Sequence, residues 1–311
     1  MADLFGLIEA GGTKVVVGVG SAVGDIRAKV RIPTTTPAET LGAVIAWLRG
    51  AAAEHGPLTA LGVACFGPLD LDRASPRWGF ITRTVKPGWN DTDVAGPLAA
   101  AFGCPVGFDT DVNGAALAEH RWGAGRGHEV SVYVTVGTGI GGGAIVDGKP
   151  VQGAGHPEMG HFHLPRHPDD GDFAGVCSFH GDCLEGLASG PAIAARWGAS
   201  LSELPPGHPA HAIEAHYLAH AAVALQAILA PGVIVLGGGV MAAPGLLDAV
   251  RAKAAALAGD YFPDVLNLAA PALGGNAGLL GALALAQDVQ CGSPITNGSN
   301  ASSGGGSIVL R

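Results

Sequence analysis

The alternation of apolar and polar positions predicts β-strands at the start of the chain. Short apolar runs fall at Leu4–Ile8, Val15–Val19 and Ile26–Ile32, with a glycine turn between the first two. Residues Pro37–Glu54 instead carry apolar side chains at helical spacing, and Thr36 precedes them as a suitable N-cap, with proline at the first helical position. The N-terminal part of the chain therefore combines both kinds of element.

Strands and helices continue to alternate along the rest of the chain. The predicted strands are Ala60–Phe66, Val106–Asp109, Val130–Val136, Gly143–Val146 and Val233–Leu236. The predicted helices are Asp93–Phe102, Val112–Trp122 and residues 191–197, 211–229, 244–258 and 276–287. The order strand, glycine turn, strand occurs twice, in Leu7–Val17 and in Val134–Ile145, and the second glycine turn is predicted to span Gly137–Gly143.

Length and composition indicate a folded protein with more than one core. The chain has 311 residues, of which 48% are hydrophobic and 14% charged, so general disorder is excluded and two lobes are expected. The net charge of −9 argues against nucleic acid as a partner, because phosphate binding needs a basic face. No apolar run reaches the roughly eighteen residues of a membrane span, and the N-terminus lacks the pattern of a signal peptide. We therefore expect a cytoplasmic protein with no membrane partner and, at residues 292–311, a flexible Ser/Gly/Asn-rich tail.

Two glycine-rich turns are candidate phosphate-binding loops. In Glu9-Ala-Gly-Gly-Thr-Lys14 the adjacent glycines let backbone N–H groups approach a phosphate, and the threonine adds a hydroxyl donor. An ordinary hairpin turn explains the same residues, and this motif alone favours that interpretation. The second turn contains Gly-x-Gly-x-x-Gly within Gly137–Gly143, but a strand rather than a helix follows it, which excludes a Rossmann dinucleotide site.

Asp111 is a candidate for acid–base chemistry. It follows a short predicted strand and opens a predicted helix, where a carboxylate can accept a hydroxyl proton as that oxygen attacks a phosphoryl group. The same position suits a helix N-cap, for which aspartate is favoured, and in isolation the N-cap is the better interpretation.

The polar, histidine-rich residues 156–183 lack periodicity and are predicted to be an insert held by something other than a core. Cys177, His180 and Cys183 place three metal ligands within seven residues, and a reducing compartment favours metal over disulfide. Zinc prefers four N or S ligands in structural sites, and a loop without a core needs such a clip. The fourth ligand is open at this point, and four histidines compete for it: His156, His161, His163 and His167.

Taken together, the motifs resemble those of the ROK family (repressors, open reading frames and sugar kinases), and within it the bacterial fructokinases. The resemblance extends from Glu9 to about Ala286. The segments that carry it are Glu9-Ala-Gly-Gly-Thr-Lys14, Phe108-Asp-Thr-Asp-Val-Asn-Gly-Ala-Ala-Leu-Ala118, Val136-Gly-Thr-Gly-Ile-Gly-Gly142, His156-Pro-Glu-Met-Gly-His161, Cys177 to Pro191, and Leu236-Gly-Gly-Gly-Val-Met241. Two departures from the family's glucokinases, Thr110-Asp111 for Asn-Asp and Cys177-x-x-His180 for Cys-x-Cys, favour the fructokinase branch.

This resemblance implies a two-lobed α/β fold of the actin-like ATPase (ribonuclease H-like) type with a zinc-binding insert. The small lobe would comprise residues 1–112, joined by the C-terminal helix near 276–290, and the large lobe residues 113–275, with the zinc insert at 156–186. The implied activity is ATP-dependent phosphorylation of a hexose, fructose to fructose 6-phosphate first of all, by a homodimer that uses Mg²⁺ with ATP. The alternatives are a kinase for mannose, glucose or another hexose, and a non-catalytic sugar-sensing protein of the same fold.

The resemblance also implies roles for individual residues, with Asp111 as the general base. The nucleotide-binding residues would be Gly11, Gly12, Thr13, Lys14, Thr138, Gly139, Pro191, Gly237, Gly238, Gly239, Val240 and Met241. The sugar-binding residues would be Asp111, Glu158, His161 and Glu185. The ligands of a structural zinc would be His161, Cys177, His180 and Cys183. By spacing alone, Glu158 and Glu185 could equally be solvated surface carboxylates.

Overall fold

Two five-stranded β-sheets form the framework of the protein in the computed structural model, which describes residues 3–261 and 266–291. The strands are β1 (Phe5–Ala10), β2 (Lys14–Ala22), β3 (Asp25–Pro33), β4 (Ala60–Cys65), β5 (Phe80–Ile81), β6 (Thr92–Asp93), β7 (Val106–Thr110), β8 (Val130–Val136), β9 (Ile140–Val146), β10 (Lys149–Pro150), β11 (Val233–Gly237) and β12 (Leu268–Ala269). The helices are α1 (Pro37–His55), α2 (Ala95–Phe102), α3 (Asp111–Trp122), α4 (Leu184–Ala188), α5 (Gly190–Trp197), α6 (Pro209–Leu229), α7 (Leu246–Ala258) and α8 (Ala277–Gln290). The first sheet has the order β3-β2-β1-β4-β7, and the second the order β10-β9-β8-β11-β12.

The long periodic segments form the elements that their patterns predict. For example, α1 begins where expected, with the Thr36 hydroxyl accepting a hydrogen bond from the Glu39 N–H and with Pro37 in the first turn. The predicted helix at Asp93 instead begins at Ala95, because Thr92–Asp93 pairs with β5. Pattern analysis missed the shortest elements, which are too short to show a period: β5, β6, β10, β12 and α4.

The second glycine turn is shorter than predicted. The turn ends at Gly139, and the glycines that follow lie inside β9, which begins at Ile140. A Cβ atom at Gly143 would come within 2.7 Å of the Asn113 side-chain oxygen on α3. These glycines therefore allow the strand to pack closely on the helix, and they do not lengthen the loop.

Helices α3 and α8 pack against each other and lie between the two sheets. One hydrophobic core cluster combines residues of both helices with residues of both sheets, including Leu7 of β1 and Val235 of β11. The two helices cross at glycines, since a Cβ atom at Gly281 would lie 2.3 Å from the carbonyl carbon of Gly114. Each sheet has a further hydrophobic cluster on its other face, so the central helix pair joins the cores of the two halves.

Parallel strand pairing places the candidate loops at two sheet edges. In the first sheet β1, β4 and β7 run parallel, so Ala10, Cys65 and Thr110 lie side by side at their carboxyl ends. In the second sheet β8 and β11 run parallel, and Thr135 lies beside Gly237. Ligands of open α/β sheets bind outside such carboxyl ends.

Among the described residues, only α6 is long and apolar enough to cross a membrane by length and composition, and most of it is buried against the rest of the protein, as in a core helix. The lobe boundaries predicted from the sequence stay a prediction, although α8 does pack on β1, β4 and β7 of the first sheet. The predicted flexible tail, residues 292–311, lies outside the described residues.

Candidate active site

A cavity of about 540 Å³ lies between the carboxyl edges of the two sheets. Strand β1 of the first sheet contributes Glu9, the start of α3 contributes Asp111, and the second sheet contributes Thr135 and Gly237. Further parts of its wall come from the start of α7 and from the segment before α8, which includes Pro271. The cavity therefore places carboxylates from one half of the molecule opposite a glycine-rich turn of the other half.

Asp111 occupies the first position of α3, at the end of β7, and lines the cavity. The N-cap of this helix is Thr110, whose hydroxyl accepts a hydrogen bond of 3.1 Å from the Asn113 N–H. The interpretation of Asp111 as the N-cap is therefore wrong. Burial, together with the charges of Glu9 and Glu158, raises the pKa of Asp111 to about 7 despite a hydrogen bond from the Val112 N–H. A carboxylate with a pKa in this range is suited to accept a proton at neutral pH.

Asp109 lies two residues before Asp111 and is fully buried. The sequence analysis did not single it out. Its carboxylate accepts hydrogen bonds of 2.7 Å from the Thr110 N–H and from the Asn113 amide, and one of 3.2 Å from Gln152. Burial raises the pKa of Asp109 to about 6, against the effect of these hydrogen bonds. Asp109 therefore fixes the junction that carries Asp111 and links it to the segment after β10.

The first glycine loop, Gly11 to Lys14, is an exposed turn between β1 and β2. The Gly11 N–H donates to the Lys14 carbonyl, and the Thr34 hydroxyl donates to the Gly11 carbonyl at 2.7 Å, so the turn is held from both sides. Within the described parts of the chain, the N–H groups of Gly12 and Thr13 have no acceptor. Two successive free N–H groups at a tight turn form an anion-binding concavity.

The second glycine loop, Gly137 to Gly139, has the same character. The Gly137 N–H donates to the Gly139 carbonyl, while Thr138 and Gly139 have N–H groups without an acceptor in residues 3–261 and 266–291. The Gly190 N–H, at the start of α5, donates to the Gly137 carbonyl at 2.8 Å, which places Pro191 beside this loop. The Glu185 carboxylate accepts a hydrogen bond of 2.9 Å from the Ile140 N–H and so closes the base of the loop.

The third glycine segment follows β11 and contains Gly237, Gly238 and Gly239. Gly238 has a φ of 94°, and a Cβ atom there would lie 2.3 Å from the Val136 carbonyl oxygen, so only glycine fits. A short 3₁₀-helix, Val240–Ala242, comes next and brings Met241 to the cavity.

Only part of the predicted nucleotide set lines this cavity. The predicted nucleotide-binding residues on its wall are Gly237, Gly238 and Met241, and the predicted base Asp111 also lines it. The predicted residues that do not line it are Gly11, Gly12, Thr13, Lys14, Thr138, Gly139, Pro191, Gly239 and Val240. The structure places the first two loops at the carboxyl edges of the strands next to the cavity, and not on its wall.

Glu119 is a second buried carboxylate that sequence analysis missed. It lies on α3, and its oxygens accept hydrogen bonds from the N–H groups of Ala124, Ala272 and Leu273, at 2.8, 3.1 and 3.0 Å. Two of these donors belong to the segment that supplies Pro271 and Gly274 to the cavity wall. The glycine pair Gly274-Gly275 before α8 was the sequence signal that could have indicated this wall.

The predicted sugar-binding residues on the zinc insert have different surroundings. Glu158 has a side chain that is 46% exposed, and its carboxylate lies 3.4 Å from Nδ1 of His156. Its charge contributes to the raised pKa of Asp111. Glu185, in contrast, accepts a hydrogen bond from the Ile140 N–H, and the His161 ring lies next to the sulfur atoms of Cys177 and Cys183.

Four side chains of the insert converge on one point: His161, Cys177, His180 and Cys183, with ligand atoms that all lie within 4.8 Å of one another. Cys177 Sγ lies 3.7 Å from His161 Nδ1 and 3.8 Å from His180 Nδ1, and Cys183 Sγ lies 3.5 Å from His161 Nδ1. A tetrahedral zinc with Zn–S of about 2.3 Å and Zn–N of about 2.0–2.1 Å separates S and N by about 3.6 Å, so the donor set fits zinc. Of the histidines that competed for the fourth position, His156 contacts the Leu69 N–H and Glu158 instead.

Comparison with known proteins places this geometry in a family. The model of the ROK family matches residues 5–289. A fructokinase from Zymomonas mobilis subsp. mobilis is 52% identical over 289 residues, covering 91% of this chain and 96% of the relative. The solved structure of a ROK hexokinase from Thermus thermophilus superimposes with a TM-score of 0.76 at 31% identity, covering 91% of this chain and 98% of that one. A ROK family glucokinase from Streptomyces griseus, solved in complex with glucose and AMPPNP, gives a TM-score of 0.74 at 27% identity, covering 92% and 99%.

The two sheets, the central helix pair and the glycine turns at the strand ends define an actin-like ATPase fold, as the sequence predicted. The chain belongs to the ROK family.

Proposed function

We infer that the protein is an ATP-dependent hexose kinase that phosphorylates fructose to fructose 6-phosphate. The observation that carries this inference is the cavity between the sheets, where Asp111, with a pKa raised to about 7, faces the glycine turn after β11. The 52% identity with a fructokinase supports fructose as the acceptor. Kinases for glucose and for hexoses share the fold at lower identity, which makes other hexoses the second candidates.

In this proposal Asp111 is the general base. Its carboxylate accepts the proton of the attacking sugar hydroxyl as the oxygen bonds to the γ-phosphorus, and ADP leaves with the electrons of the broken P–O bond. Burial supports this role, because it weakens the acidity of Asp111 enough for the group to take up a proton near neutral pH. The presence of both the base, Asp111, and the glycine loops also argues against a non-catalytic sugar sensor.

The glycine loops would hold the nucleotide. Free N–H groups at Gly12 and Thr13 and at Thr138 and Gly139 support phosphate binding by the two loops, with Lys14 adding a positive charge at the first. The start of α5 beside the second loop would add a helix N-terminus, through Pro191 and its neighbours. Gly237 to Met241 would form the remaining part of the nucleotide site.

Glu158 and Asp111 would bind the sugar hydroxyls. Glu158 is the more exposed of the two predicted glutamates and is electrostatically coupled to Asp111, which supports a direct role. We assign Glu185 instead to the support of the second glycine loop, and His161 to the metal cluster beside the sugar site.

Two metals accompany this function. The spacing of His161, Cys177, His180 and Cys183 supports a structural zinc that ties together the loop segments of this insert. Mg²⁺ would bind with ATP and neutralise the charge that develops on the transferred phosphoryl group. The carboxylate of Glu9 is the kind of oxygen donor that this ion prefers, and it lines the cavity.

The remaining partners follow from the family. A homodimer is proposed on family grounds alone. A cytoplasmic location fits an enzyme that consumes ATP and carries cysteines grouped for metal binding.

A panel of hexoses tests the function directly. The wild-type protein with ATP and Mg²⁺ should release ADP fastest with fructose, when fructose, mannose, glucose and N-acetylated hexoses are compared by kcat/KM. The matched control is Asp111→Asn, which keeps the shape but removes the base, and turnover should fall by about 10²–10⁴-fold. Release of ADP without dependence on any sugar, or near wild-type turnover by the variant, would contradict the proposal.

A further inference from the structure

His156 connects the two halves of the molecule next to the proposed sugar site. It lies at the start of the zinc insert predicted for residues 156–186, yet its Nε2 accepts a hydrogen bond of 3.1 Å from the Leu69 N–H, which follows β4 of the first sheet. The ring packs against the same turn, since a Cβ atom at Gly67 would lie 3.6 Å from it. Only 9% of the His156 side chain is exposed.

The contact with Leu69 decides which ring nitrogen carries the proton. A backbone N–H can only donate, so Nε2 must be the unprotonated nitrogen of a neutral imidazole. The proton then lies on Nδ1, and Nδ1 is 3.4 Å from Oε1 of Glu158. His156 thus contacts the backbone of the first half of the molecule through Nε2 and lies next to the Glu158 carboxylate on its Nδ1 side.

Glu158 needs such a partner. Its neighbour Met159 is buried and packs on Gly142 of β9, so the backbone of this segment is fixed to the second sheet. The Glu158 side chain itself is 46% exposed, and a free glutamate would sample several rotamers. A second bridge, from Gln152 to Asp109, holds the same segment against the residues that carry Asp111.

We propose that His156 is a positioning residue for the hexose: it orients the Glu158 carboxylate toward the sugar and fixes its distance from the first sheet. This inference rests on the proposed function, because Glu158 is the proposed sugar ligand. The residue acts through Glu158 and takes no part in the transfer of the phosphoryl group.

Substitution of His156 should affect the hexose more than ATP. His156→Ala should raise the KM for the hexose about tenfold, leave the KM for ATP within about twofold, and lower kcat less than it raises KM. His156→Asn keeps a donor near the position of Nδ1, and His156→Gln keeps an acceptor near that of Nε2, so each should recover part of the hexose affinity. A change that is equal for hexose and ATP would overturn the proposal, as would a hexose KM in His156→Ala within twofold of wild type.

A double-mutant cycle with Glu158→Gln separates positioning from general stability. If His156 acts through Glu158, His156→Ala should raise the hexose KM far less in the Glu158→Gln background than in the wild type. Additive effects would overturn the proposal. His163→Ala, which removes an exposed histidine of the same insert, is the matched control and should leave the hexose KM unchanged; an equal rise there would also count against His156.

The failure of this inference can be told apart from failure of the proposed function. Hexose binding to each variant is measured by titration calorimetry without ATP, alongside ADP release and the thermal midpoint. A wild type that phosphorylates no hexose refutes the function. An active wild type whose His156→Ala variant binds the hexose with unchanged affinity refutes only the positioning role. If His156→Ala does not fold, the asparagine and glutamine variants carry the same test.

Discussion

Asp111 shows how the surroundings of one side chain set its chemistry. An exposed aspartate has a pKa near 4 and is a poor base, whereas burial and the charges of Glu9 and Glu158 raise the pKa of Asp111 to about 7. The helix N-cap is provided by Thr110, so the Asp111 carboxylate lines the cavity. Proton acceptance at this position therefore depends on pH within the range where the protein can be assayed.

The pH dependence of turnover follows from this raised pKa. A general base works in its deprotonated form, so kcat/KM for the hexose should be constant above about pH 7 and fall about tenfold per unit below it. Because the charge of Glu9 raises the pKa of Asp111, Glu9→Gln should move the inflection to lower pH. Initial rates between pH 5.5 and 9 measure both effects, and a flat wild-type profile would exclude Asp111 as the base.

At the scale of elements, α3 connects two parts of the site. Asp111 stands at its first position, and Glu119 near its other end accepts three backbone hydrogen bonds, two of them from the segment before α8. One helix therefore fixes both the proposed base and one wall of the cavity.

Glu119→Gln should loosen that wall. A glutamine has one acceptor oxygen and an NH₂ group that cannot accept, so at least one of the three N–H groups loses its charged acceptor, at a cost of about 1–3 kcal/mol in the free energy of unfolding. Since the affected segment lines the cavity beside Gly237, the KM for ATP should rise more than the KM for the hexose. Urea unfolding and steady-state kinetics measure the two effects. Glu129→Gln, at an exposed position, is the control. Equal changes in unfolding free energy and in the KM for ATP for the two variants would refute the role of Glu119 in holding the wall.

The insert that carries the proposed zinc cluster is the element that we expect to depend most on a bound metal. Cys183→Ser removes one thiolate from the four-residue cluster, so zinc content should fall below one ion per chain and the thermal midpoint should drop. Hexose affinity should fall with it, because Glu158 lies three residues before His161 on the same segment. Cys104→Ser, a partly buried cysteine outside the cluster, should change neither quantity. Freshly purified wild-type protein without stoichiometric zinc by elemental analysis would refute the site.

At the scale of the whole molecule, the two sheets share a core. Helices α3 and α8 pack together, and the cluster around them contains strand residues of both sheets. The two halves are therefore joined by apolar side chains that neither half could bury alone.

Unfolding should accordingly be cooperative across both halves. We expect a single calorimetric transition whose van't Hoff and calorimetric enthalpies agree, under conditions where unfolding is reversible and zinc is present. Gly281→Ala, which would press on Gly114 where the two helices cross, should lower the midpoint of that one transition without splitting it. Two resolved transitions in the wild type would show that the sheets unfold as separate units.

The sequence by itself determined most of the longer elements and their order. Periodicity and capping are local properties, so α1, β8 and the strand after Ala60 could be located from a few neighbouring residues. Motif order likewise predicted the family and its fold, although each glycine turn was ambiguous alone. Three residues of the cluster, Cys177, His180 and Cys183, were predictable from their spacing, whereas the fourth, His161, came from the resemblance to the ROK family.

Only the tertiary structure decided which distant groups meet. Leu69 and His156 are 87 positions apart, and Glu119 and Leu273 are 154 positions apart, so neither contact leaves a signal in local spacing. The same holds for the raised pKa of Asp111, which is caused by burial and by charges on other segments. Local pattern fixes where the chain turns, whereas burial, hydrogen-bond partners and electrostatics arise only when remote segments pack together.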